Sequence, residues 1–269
     1  MSIAIQSLDD PRVAAYRNLK DKELDRAGRL FIAESDYIVR RLLESDYPVE
    51  SVLVSQRREA EIAPLLPSHV LLYVVSDEVM RGVMGMSIHT GVIACGRRKP
   101  WPRLEEVVPK NADRLTLMIC PDTNNVMNIG ALIRISAALG ANALLMGERC
   151  HDPFWRQSIR VSMGSVFRLP LYRATDIEAD LDRLKREWNV ELVGSVLDAD
   201  AEPLENAMRQ NRLGILVGNE AHGLSSEYAK ACDRRVTIPM KLGTDSLNVA
   251  IAAGIFLYHF GREESFRRE

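Results

Sequence analysis

The sequence lacks the features that identify disulfide-rich, zinc-binding and membrane-spanning proteins. Its 4 cysteines, Cys95, Cys120, Cys150 and Cys232, lie far apart, and none forms a CxxC pair or a Cys/His cluster at metal-ligand spacing. No stretch approaches the roughly 18 apolar residues that a membrane span needs, and the N-terminus has no basic segment followed by an apolar run. We therefore expect a cytoplasmic protein without disulfides, bound metal or membrane anchor.

Motifs of several common α/β enzyme classes are missing as well. No GxGxxG, GxxxxGK[ST] or GxSxG segment follows a predicted strand, which argues against a nicotinamide dehydrogenase, a phosphate-loop enzyme and a hydrolase. The histidines His89, His151, His222 and His259 have no consistent partner spacing, so surface or packing roles are expected for them. With 35 Lys and Arg against 37 Asp and Glu, any basic surface for nucleic acid has to be local.

The first hundred residues predict a small α/β domain. Short apolar runs alternate with segments of helical periodicity, with strands expected at 51–55, 70–75 and 91–95 and helices at 36–44, 57–66 and 77–85. Three prolines and several charges then interrupt the apolar periodicity, which is typical of a linker. The sequence therefore predicts an N-terminal domain over residues 1–97 and a linker over 98–113.

The remaining residues, 114–269, repeat this alternation. Strands are expected at 115–120, 142–147, 190–196, 212–219 and 234–240, with helices starting near residue 128, at 177–188 and at 247–260. Short apolar strands separated by amphipathic helices predict an α/β fold with a mostly parallel sheet and helices on both faces. Ligands of such sheets bind at the carboxyl ends of the strands. Three loops that follow predicted strands are therefore candidates for the binding site.

The first loop leads into NIGALIRISAALG, an apolar helix with a charged residue, Arg134, in its middle. Asn128 stands where an N-cap is expected, and small residues at offsets of three and four from Arg134 allow another backbone or a ligand to approach that face. The plainer interpretation is a capped helix whose arginine reaches the surface and a salt bridge.

The second loop, GNEAHG, follows an apolar run. Gly218 and Gly223 permit a tight turn that offers backbone groups to a ligand, while the charge of Glu220 disfavours a phosphate. The alternative is a plain strand-turn-helix connection with Ser225 or Ser226 as the cap of the next helix.

The third loop runs from Ile238-Pro-Met240 through Gly243 to Ser246-Leu247-Asn248 and an apolar helix rich in small residues. Ser246 is the expected N-cap of that helix. This assignment gives no reason for a second polar side chain, Asn248, in the first turn.

Taken together and in this order, the three loops resemble the motifs of the SpoU-type RNA 2′-O-ribose methyltransferases of the SPOUT superfamily. The matching segments are Asn128-Ile-Gly-Ala-Leu-Ile-Arg134, Leu216-Val-Gly-Asn-Glu220-Ala-His-Gly223-Leu, and Ile238-Pro-Met240 followed by Ser246-Leu-Asn248-Val. A looser match is SMGSVFRLPL, residues 162–171, which is similar to the family's Ser-x-Gly-Ala segment before a strand. The resemblance covers residues 115–260.

The N-terminal domain resembles the ribosomal-protein-like substrate-binding domain that many members of this family carry. The segment Phe31-Ile-Ala-Glu34 matches the family's common Phe-x-x-Glu-Gly, except that Ser35 replaces the glycine. A local excess of cations precedes it, and we expect these side chains to contact RNA phosphates: Arg17, Lys20, Lys22, Arg26 and Arg29. A solvated charged helix with i,i+4 ion pairs is the competing interpretation.

The resemblance implies a trefoil-knotted C-terminal domain that binds S-adenosylmethionine and methylates a ribose 2′-hydroxyl of RNA, with ribosomal RNA preferred over transfer RNA. The cofactor contacts that it implies are Leu216, Gly218, Asn219, Ile238, Met240 and Leu247. The catalytic residues that it implies are Arg134, Asn128, Glu220, Ser246 and Asn248, with Glu220 as the partner of Arg134. It also implies a homodimer in which Arg134 completes the site of the other subunit.

Three alternatives stay open at this point. The same fold methylates a base atom in other SPOUT branches, or acts as a non-catalytic RNA-binding protein. The third alternative is an α/β nucleotide-dependent enzyme unrelated to RNA. Within the preferred interpretation, Arg134 acts either as the general base or as a clamp on phosphate and oxyanion; the permanent charge of arginine favours the clamp.

Overall fold

The computed structural model describes residues 2–17, 29–84, 91–198 and 200–261. The chain forms two compact units. The first contains Met1–Pro100 and Pro153–Arg168, and the second contains Trp101–Asp152 and Leu169–Glu269. The segment Pro153–Arg168 thus belongs to the same unit as the N-terminal hundred residues, although it lies between two parts of the second unit along the chain.

The elements alternate much as the sequence predicts. The strands are β1 (Ser2–Ala4), β2 (Leu30–Glu34), β3 (Val49–Ser55), β4 (Leu71–Val75), β5 (Val92–Arg97), β6 (Leu115–Cys120), β7 (Ala143–Met146), β8 (Leu171–Arg173), β9 (Glu191–Ser195), β10 (Glu202–Pro203), β11 (Arg212–Leu216) and β12 (Arg234–Thr237). The α-helices are α1 (Asp36–Leu43), α2 (Glu59–Ile62), α3 (Asp77–Met84), α4 (Leu104–Val107), α5 (Val126–Ala138), α6 (Arg156–Val161), α7 (Ile177–Trp188), α8 (Ser226–Ala231) and α9 (Val249–Gly261). Every strand predicted in either half is confirmed.

The first unit is built on a mixed five-stranded sheet of order β1-β4-β3-β5-β2. The pairs β1–β4 and β4–β3 are parallel, whereas β5 is antiparallel to both of its neighbours. The helix predicted at 57–66 is a run of helical turns over residues 56–65: α2 lies between two short 3-10 segments, and Pro64, which has no N–H, lies in the second of them. Ser35, where the resembled family commonly has glycine, has a φ of +82°.

The segment Pro153–Arg168 packs into this unit through aromatic rings. Phe31 of β2 has its ring centroid 5.5 Å from that of Phe154 and 5.3 Å from that of Phe167. Arg41 of α1 donates to the carbonyl of Met163 at 2.8 Å. Gly164, in the Ser-x-Gly match, has a φ of +76° and follows the end of α6, so its glycine is required by the backbone at that turn.

The second unit contains an entirely parallel seven-stranded sheet of order β10-β12-β9-β11-β6-β7-β8. Strands β6 to β9 and β11 are mostly buried, as expected for a parallel sheet with helices on both faces, whereas β10 and β12 at one edge are more exposed. Leu117 and Ile119 of β6 share a core with Leu181 and Leu184 of α7. Helix α4 lies inside the predicted linker 98–113, and its buried residues Leu104 and Val107 belong to this core.

The order of the strands determines where a ligand can bind in the second unit. From β6 the chain adds β7 and β8 on one side, and then returns to place β9 and β11 on the other side of β6. A crevice is expected outside the carboxyl ends of the strands at such a reversal. The three predicted loops follow β6, β11 and β12, so the topology brings them to this edge. In the described part of the chain, no helix is long and apolar enough to cross a membrane.

Candidate active site

A cleft of about 590 Å³ opens at the carboxyl edge of the second unit's sheet. Its walls come from the residues after β9, β11 and β12 and from the starts of α5 and α9. Nine of the eleven residues that the motifs single out for catalysis or cofactor contact line it, namely Asn128, Gly218, Asn219, Glu220, Ile238, Met240, Ser246, Leu247 and Asn248. The remaining two, Arg134 and Leu216, lie elsewhere.

The loop after β11 is a narrow hairpin. Asn219 and Gly223 exchange two backbone hydrogen bonds of 2.9 Å, and Gly223 has a φ of +67°. A Cβ at Gly218 would lie 2.1 Å from the carbonyl carbon of Gly223, so only glycine permits this close approach. The Asn219 side chain accepts from the Ala221 N–H at 2.9 Å and donates to the Asp122 carbonyl at 3.1 Å. This hairpin holds Glu220 at the cleft, while Ser225 caps α8, as the plainer interpretation predicts.

Helix α5 begins with Asn125 as its N-cap, and the prediction of Asn128 for that role is wrong. The Asn125 side chain accepts from the backbone N–H groups of Met127 and Asn128, at 2.8 and 3.3 Å. Asn128 instead lies in the first turn, is only 8% exposed, and donates from Nδ2 to Oε1 of Glu220 at 2.8 Å. Its side chain therefore links the first loop to the second.

Helix α9 begins one residue after Asn248, so the prediction of Ser246 as its cap is also wrong. Oδ1 of Asn248 accepts from the N–H groups of Ala250 and Ile251 at 2.9 and 3.4 Å, which is the pattern of an N-cap. Nδ2 of the same amide donates to Oδ1 of Asn128 at 2.9 Å. Ser246 is exposed and lines the cleft.

Asn248, Asn128 and Glu220 thus form a hydrogen-bonded chain with one direction. Because Oδ1 of Asn248 caps the helix, its Nδ2 has to face Asn128, and Nδ2 of Asn128 then has to face the carboxylate. Each amide donates toward Glu220, and the chain starts at the positive end of α9. The arrangement holds one carboxylate oxygen of Glu220 in place at the cleft.

Within one chain, the described structure does not pair Arg134 with Glu220. Arg134 lies six residues after Asn128 on α5, about 9 Å along the helix axis and about 240° around it, so the two side chains leave on different faces. Arg134 is exposed, and the described residues provide no ion pair for it, contrary to the salt bridge of the plainer interpretation. Its guanidinium is accessible to a molecule that approaches this face of α5.

Comparison with known proteins agrees with this geometry. The sequence model of the SpoU rRNA Methylase family matches residues 116–258. The chain belongs to this family. It is 35% identical over 258 residues to an uncharacterized tRNA/rRNA methyltransferase of Mycobacterium bovis, covering 93% of this chain and 88% of that one.

Two further matches cover nearly the whole chain. A 23S rRNA (guanosine(2553)-2′-O)-methyltransferase of Bacillus subtilis is 26% identical, over 95% of this chain and 98% of that protein. The crystal structure of an AdoMet-bound rRNA methyltransferase from Sinorhizobium meliloti superposes with a TM-score of 0.84 at 25% identity, covering 98% of each chain. The similarity to this rRNA methyltransferase therefore covers residues of both units.

The cleft also contains residues that the family motifs do not single out. Leu216, an expected cofactor contact, is fully buried in the core, and the next residue, Val217, lines the cleft instead. Ser195 and Leu197 at the end of β9 belong to the wall, as does His222. No motif marks the end of β9; only the rule that parallel strands present their carboxyl ends to a ligand could have found it.

The expected RNA contacts of the N-terminal segment are only partly described. Lys20, Lys22 and Arg26 lie outside the described residues. The Arg17 guanidinium donates to the Leu8 carbonyl, and Arg29 is exposed. The contribution of all five side chains to RNA binding stays a prediction.

Two buried cysteines lie behind the cleft. Sγ of Cys150 donates to the Cys120 carbonyl at 2.9 Å, and burial raises the pKa of the Cys150 thiol to about 11. Burial also raises the pKa of Cys120 well above its usual value. Both are neutral thiols at physiological pH, so neither serves as a nucleophile. Within the described residues, no group of three or more His, Cys, Asp or Glu could hold a metal ion.

The double role of Asn248 predicts different stabilities for two substitutions. Asn248→Ala removes the cap of α9 and leaves Oδ1 of the buried Asn128 without its donor, so the free energy of unfolding should fall by about 1–2 kcal/mol. Asn248→Asp removes the same donor to Asn128, but it retains an acceptor for the helix N–H groups, with a charge that the helix N-terminus favours, and should therefore lose less. Urea denaturation measures both, and equal losses would contradict the assignment of Asn248 as the cap.

Proposed function

We propose that this protein transfers the methyl group of S-adenosylmethionine to the 2′-hydroxyl of a ribose in RNA, with ribosomal RNA as the substrate class. The observation that carries the proposal is the directed chain Asn248–Asn128–Glu220, which joins the three SpoU motif loops at one edge of a parallel sheet. These three side chains come from distant parts of the sequence and meet at the cleft. The Bacillus subtilis relative is a 23S rRNA 2′-O-methyltransferase, which supports the choice of RNA as substrate and of the 2′-oxygen as acceptor.

The cleft suits S-adenosylmethionine in size and chemistry. Its volume of about 590 Å³ lies within the usual range for small-molecule sites, and its wall combines apolar side chains with backbone groups. We infer that Gly218, Ile238 and Leu247 hold the cofactor, with Asn219 and Met240 beside them. When bound, the cofactor supplies an electrophilic methyl group on a positively charged sulfur, and the nearby charge of Glu220 is complementary to it.

The chain's own residues position the ribose. Oε1 of Glu220 is held by Asn128, which leaves Oε2 to accept a hydrogen bond from a ribose hydroxyl. Ser246 and Asn248, which also line the cleft, help to fix the sugar and the loops around it. Correct placement of the hydroxyl oxygen accounts for much of the expected barrier reduction.

We infer that Arg134 clamps an RNA phosphate and stabilises negative charge on the 2′-oxygen, while the proton of the hydroxyl leaves to a phosphate oxygen or to water. A guanidinium stays protonated in proteins, so it binds an anion in preference to removing a proton. Its planar fork matches two phosphate oxygens. Because Arg134 points away from the cleft of its own chain, we propose that it serves the cleft of a second copy.

The exposed faces of α5 and α9 support the proposal of a homodimer. On α9, Ile251, Ile255 and Tyr258 are 55%, 38% and 60% exposed and lie at offsets of four and seven residues, on one side of the helix. On α5, Met127 is 41% exposed and lies seven residues before Arg134, on the same side. An apolar face of this kind marks an interaction surface, and its continuity with Arg134 favours a second copy of this chain as the occupant.

We further propose that residues 1–97 act as the RNA-binding domain and that the second unit contains the trefoil knot of the family. The basic segment between Arg17 and Arg29 supports the first proposal. The parallel topology and the match with SpoU structures support the second.

Methyl transfer from labelled S-adenosylmethionine into total RNA tests the proposed function. We expect label in ribosomal RNA, and mass spectrometry of the nucleosides should identify a 2′-O-methylnucleoside. A base-methylated nucleoside would assign the alternative SPOUT reaction, label in transfer RNA alone would overturn the substrate class, and no transfer would leave RNA binding without catalysis as the function.

The substitution Arg134→Lys distinguishes a guanidinium that binds two phosphate oxygens from a side chain that contributes only its positive charge. Lysine keeps the charge but lacks the fork that binds two oxygens, so kcat should fall about 10²-fold while RNA affinity changes little. Steady-state kinetics with RNA measures both quantities. Near-normal turnover of the lysine variant would contradict a bidentate clamp.

Ile251→Glu tests the dimer. A carboxylate in the centre of an apolar interface is left without a partner and should shift the protein toward a monomer, with loss of methyl transfer because Arg134 no longer reaches a second cleft. Light scattering measures the mass. Leu65→Glu, at an exposed leucine of the first unit, is the matched control, and a wild-type monomer that is fully active would overturn the dimer.

A further inference from the structure

The loop between the two cleft-lining stretches of the third motif contains a leucine in an unfavourable place. Thr244 donates its N–H to the Lys241 carbonyl at 3.2 Å, which closes a four-residue turn. Its central residues, Leu242 and Gly243, have φ values of +57° and +70°. Two positive φ angles define a type I′ turn, in which asparagine or glycine is favoured at the first central position and leucine is not.

Leu242 is also completely exposed, with a relative accessibility of 103%. Its side chain therefore contacts nothing in the fold that would offset the cost of the left-handed conformation and of an apolar group in water. Neither the stability of the turn nor the packing of the unit explains a leucine at this position. A contact with another molecule does.

The position of the turn indicates which molecule this is. The chain leaves the cleft wall at Met240 and returns to it at Ser246, so the turn stands at the mouth of the cleft. A ribose that enters the cleft beside this turn would have its neighbouring nucleotides outside, within reach of the turn. A cofactor buried in the cleft would meet Met240 and Leu247 before it met a side chain that points into solvent.

Charge supports the same partner. Lys241 is exposed, and the described residues provide no ion pair for it, so its ammonium group is available for a phosphate. The one acid of the loop, Asp245, is also exposed and adjoins Ser246 on the return path to the wall. A cation and an apolar side chain therefore stand next to each other at the tip of the turn.

We propose that the Lys241–Thr244 turn is an RNA contact, in which Leu242 packs against or between nucleobases beside the target ribose and Lys241 binds a backbone phosphate. Apolar side chains that project from a protein are known to wedge between bases, and exposed riboses of an RNA helix lie in its wide, shallow groove. The turn would then select a target whose neighbouring bases can be separated. This inference rests on the proposed function.

Leu242→Asn tests the proposal without weakening the fold. Asparagine suits a type I′ turn better than leucine, so thermal stability should be unchanged or higher, while the apolar tip is lost. We expect the dissociation constant for radiolabelled ribosomal RNA in filter binding to rise about tenfold, by the loss of one buried leucine contact. Leu242→Met, which keeps an apolar side chain, should bind close to wild type, and Leu65→Asn is the control for an exposed leucine elsewhere.

Lys241→Gln tests the proposed phosphate contact independently of Leu242. It should weaken RNA binding and reduce by about one unit the slope of log affinity against log salt, as the loss of one phosphate contact requires. Unchanged RNA affinity in both variants would overturn the proposal. Weaker binding of S-adenosylmethionine by Leu242→Asn in calorimetry would assign the leucine to the cofactor, and a changed mass in light scattering would assign it to a second copy; either result also overturns it.

These measurements stand apart from the test of the proposed function. RNA affinity is measured without methyl transfer, so a wild-type protein that binds ribosomal RNA but transfers no methyl group would overturn the function and leave the turn's role intact. If the wild-type protein methylates RNA but Leu242→Asn binds RNA as tightly as the wild type, the proposed function stands and the role of the turn is overturned.

Discussion

The hydrogen-bonded chain from Asn248 through Asn128 to Glu220 is the constraint on which the rest of the site depends. The buried amide of Asn128 has to satisfy both its donor and its acceptor inside the protein, because an unpaired buried polar group is costly. Its acceptor is met by the cap of α9 and its donor by a carboxylate on the hairpin after β11. One side chain thereby fixes the start of one helix against the positions of two loops.

The parallel sheet makes this constraint possible. Three loops that are up to 120 residues apart in sequence meet because β6, β11 and their neighbours all end at the same edge. The close approach of Gly218 to Gly223 then narrows the hairpin and places Glu220 within reach of α5. Structure and chemistry share a residue here, since Asn248 caps α9 and also starts the chain of amides that orients the carboxylate at the cleft.

Much of this architecture could be predicted from the sequence, for a physical reason. Strands buried on both faces have to be continuous apolar runs, and the helices that cover them have to be amphipathic, so the alternation is visible without a structure. Glycines at Gly218 and Gly223, followed by a capping serine, similarly indicate a turn. The rule for ligand sites in parallel sheets then brings the loops together.

The failures have equally local causes. Asn125 and Asn128 are both suited to cap α5, and only the distant Glu220 decides between them. Leu216 ends β11 and packs into the core, so the cleft wall begins only at the next residue, Val217, and the sequence does not mark this boundary. The place of Pro153–Arg168 in the first unit depends on aromatic contacts with Phe31, which leave no periodic signal in the sequence.

If the three side chains act as one unit, their effects on catalysis cannot be independent. A double-mutant cycle with Asn248→Asp and Glu220→Gln, measured as kcat/KM for RNA methylation, tests this most directly. The account predicts that the double variant loses little more than the worse single variant, since either change breaks the same chain. Losses that multiply would show that Asn248 and Glu220 act separately and would contradict the account.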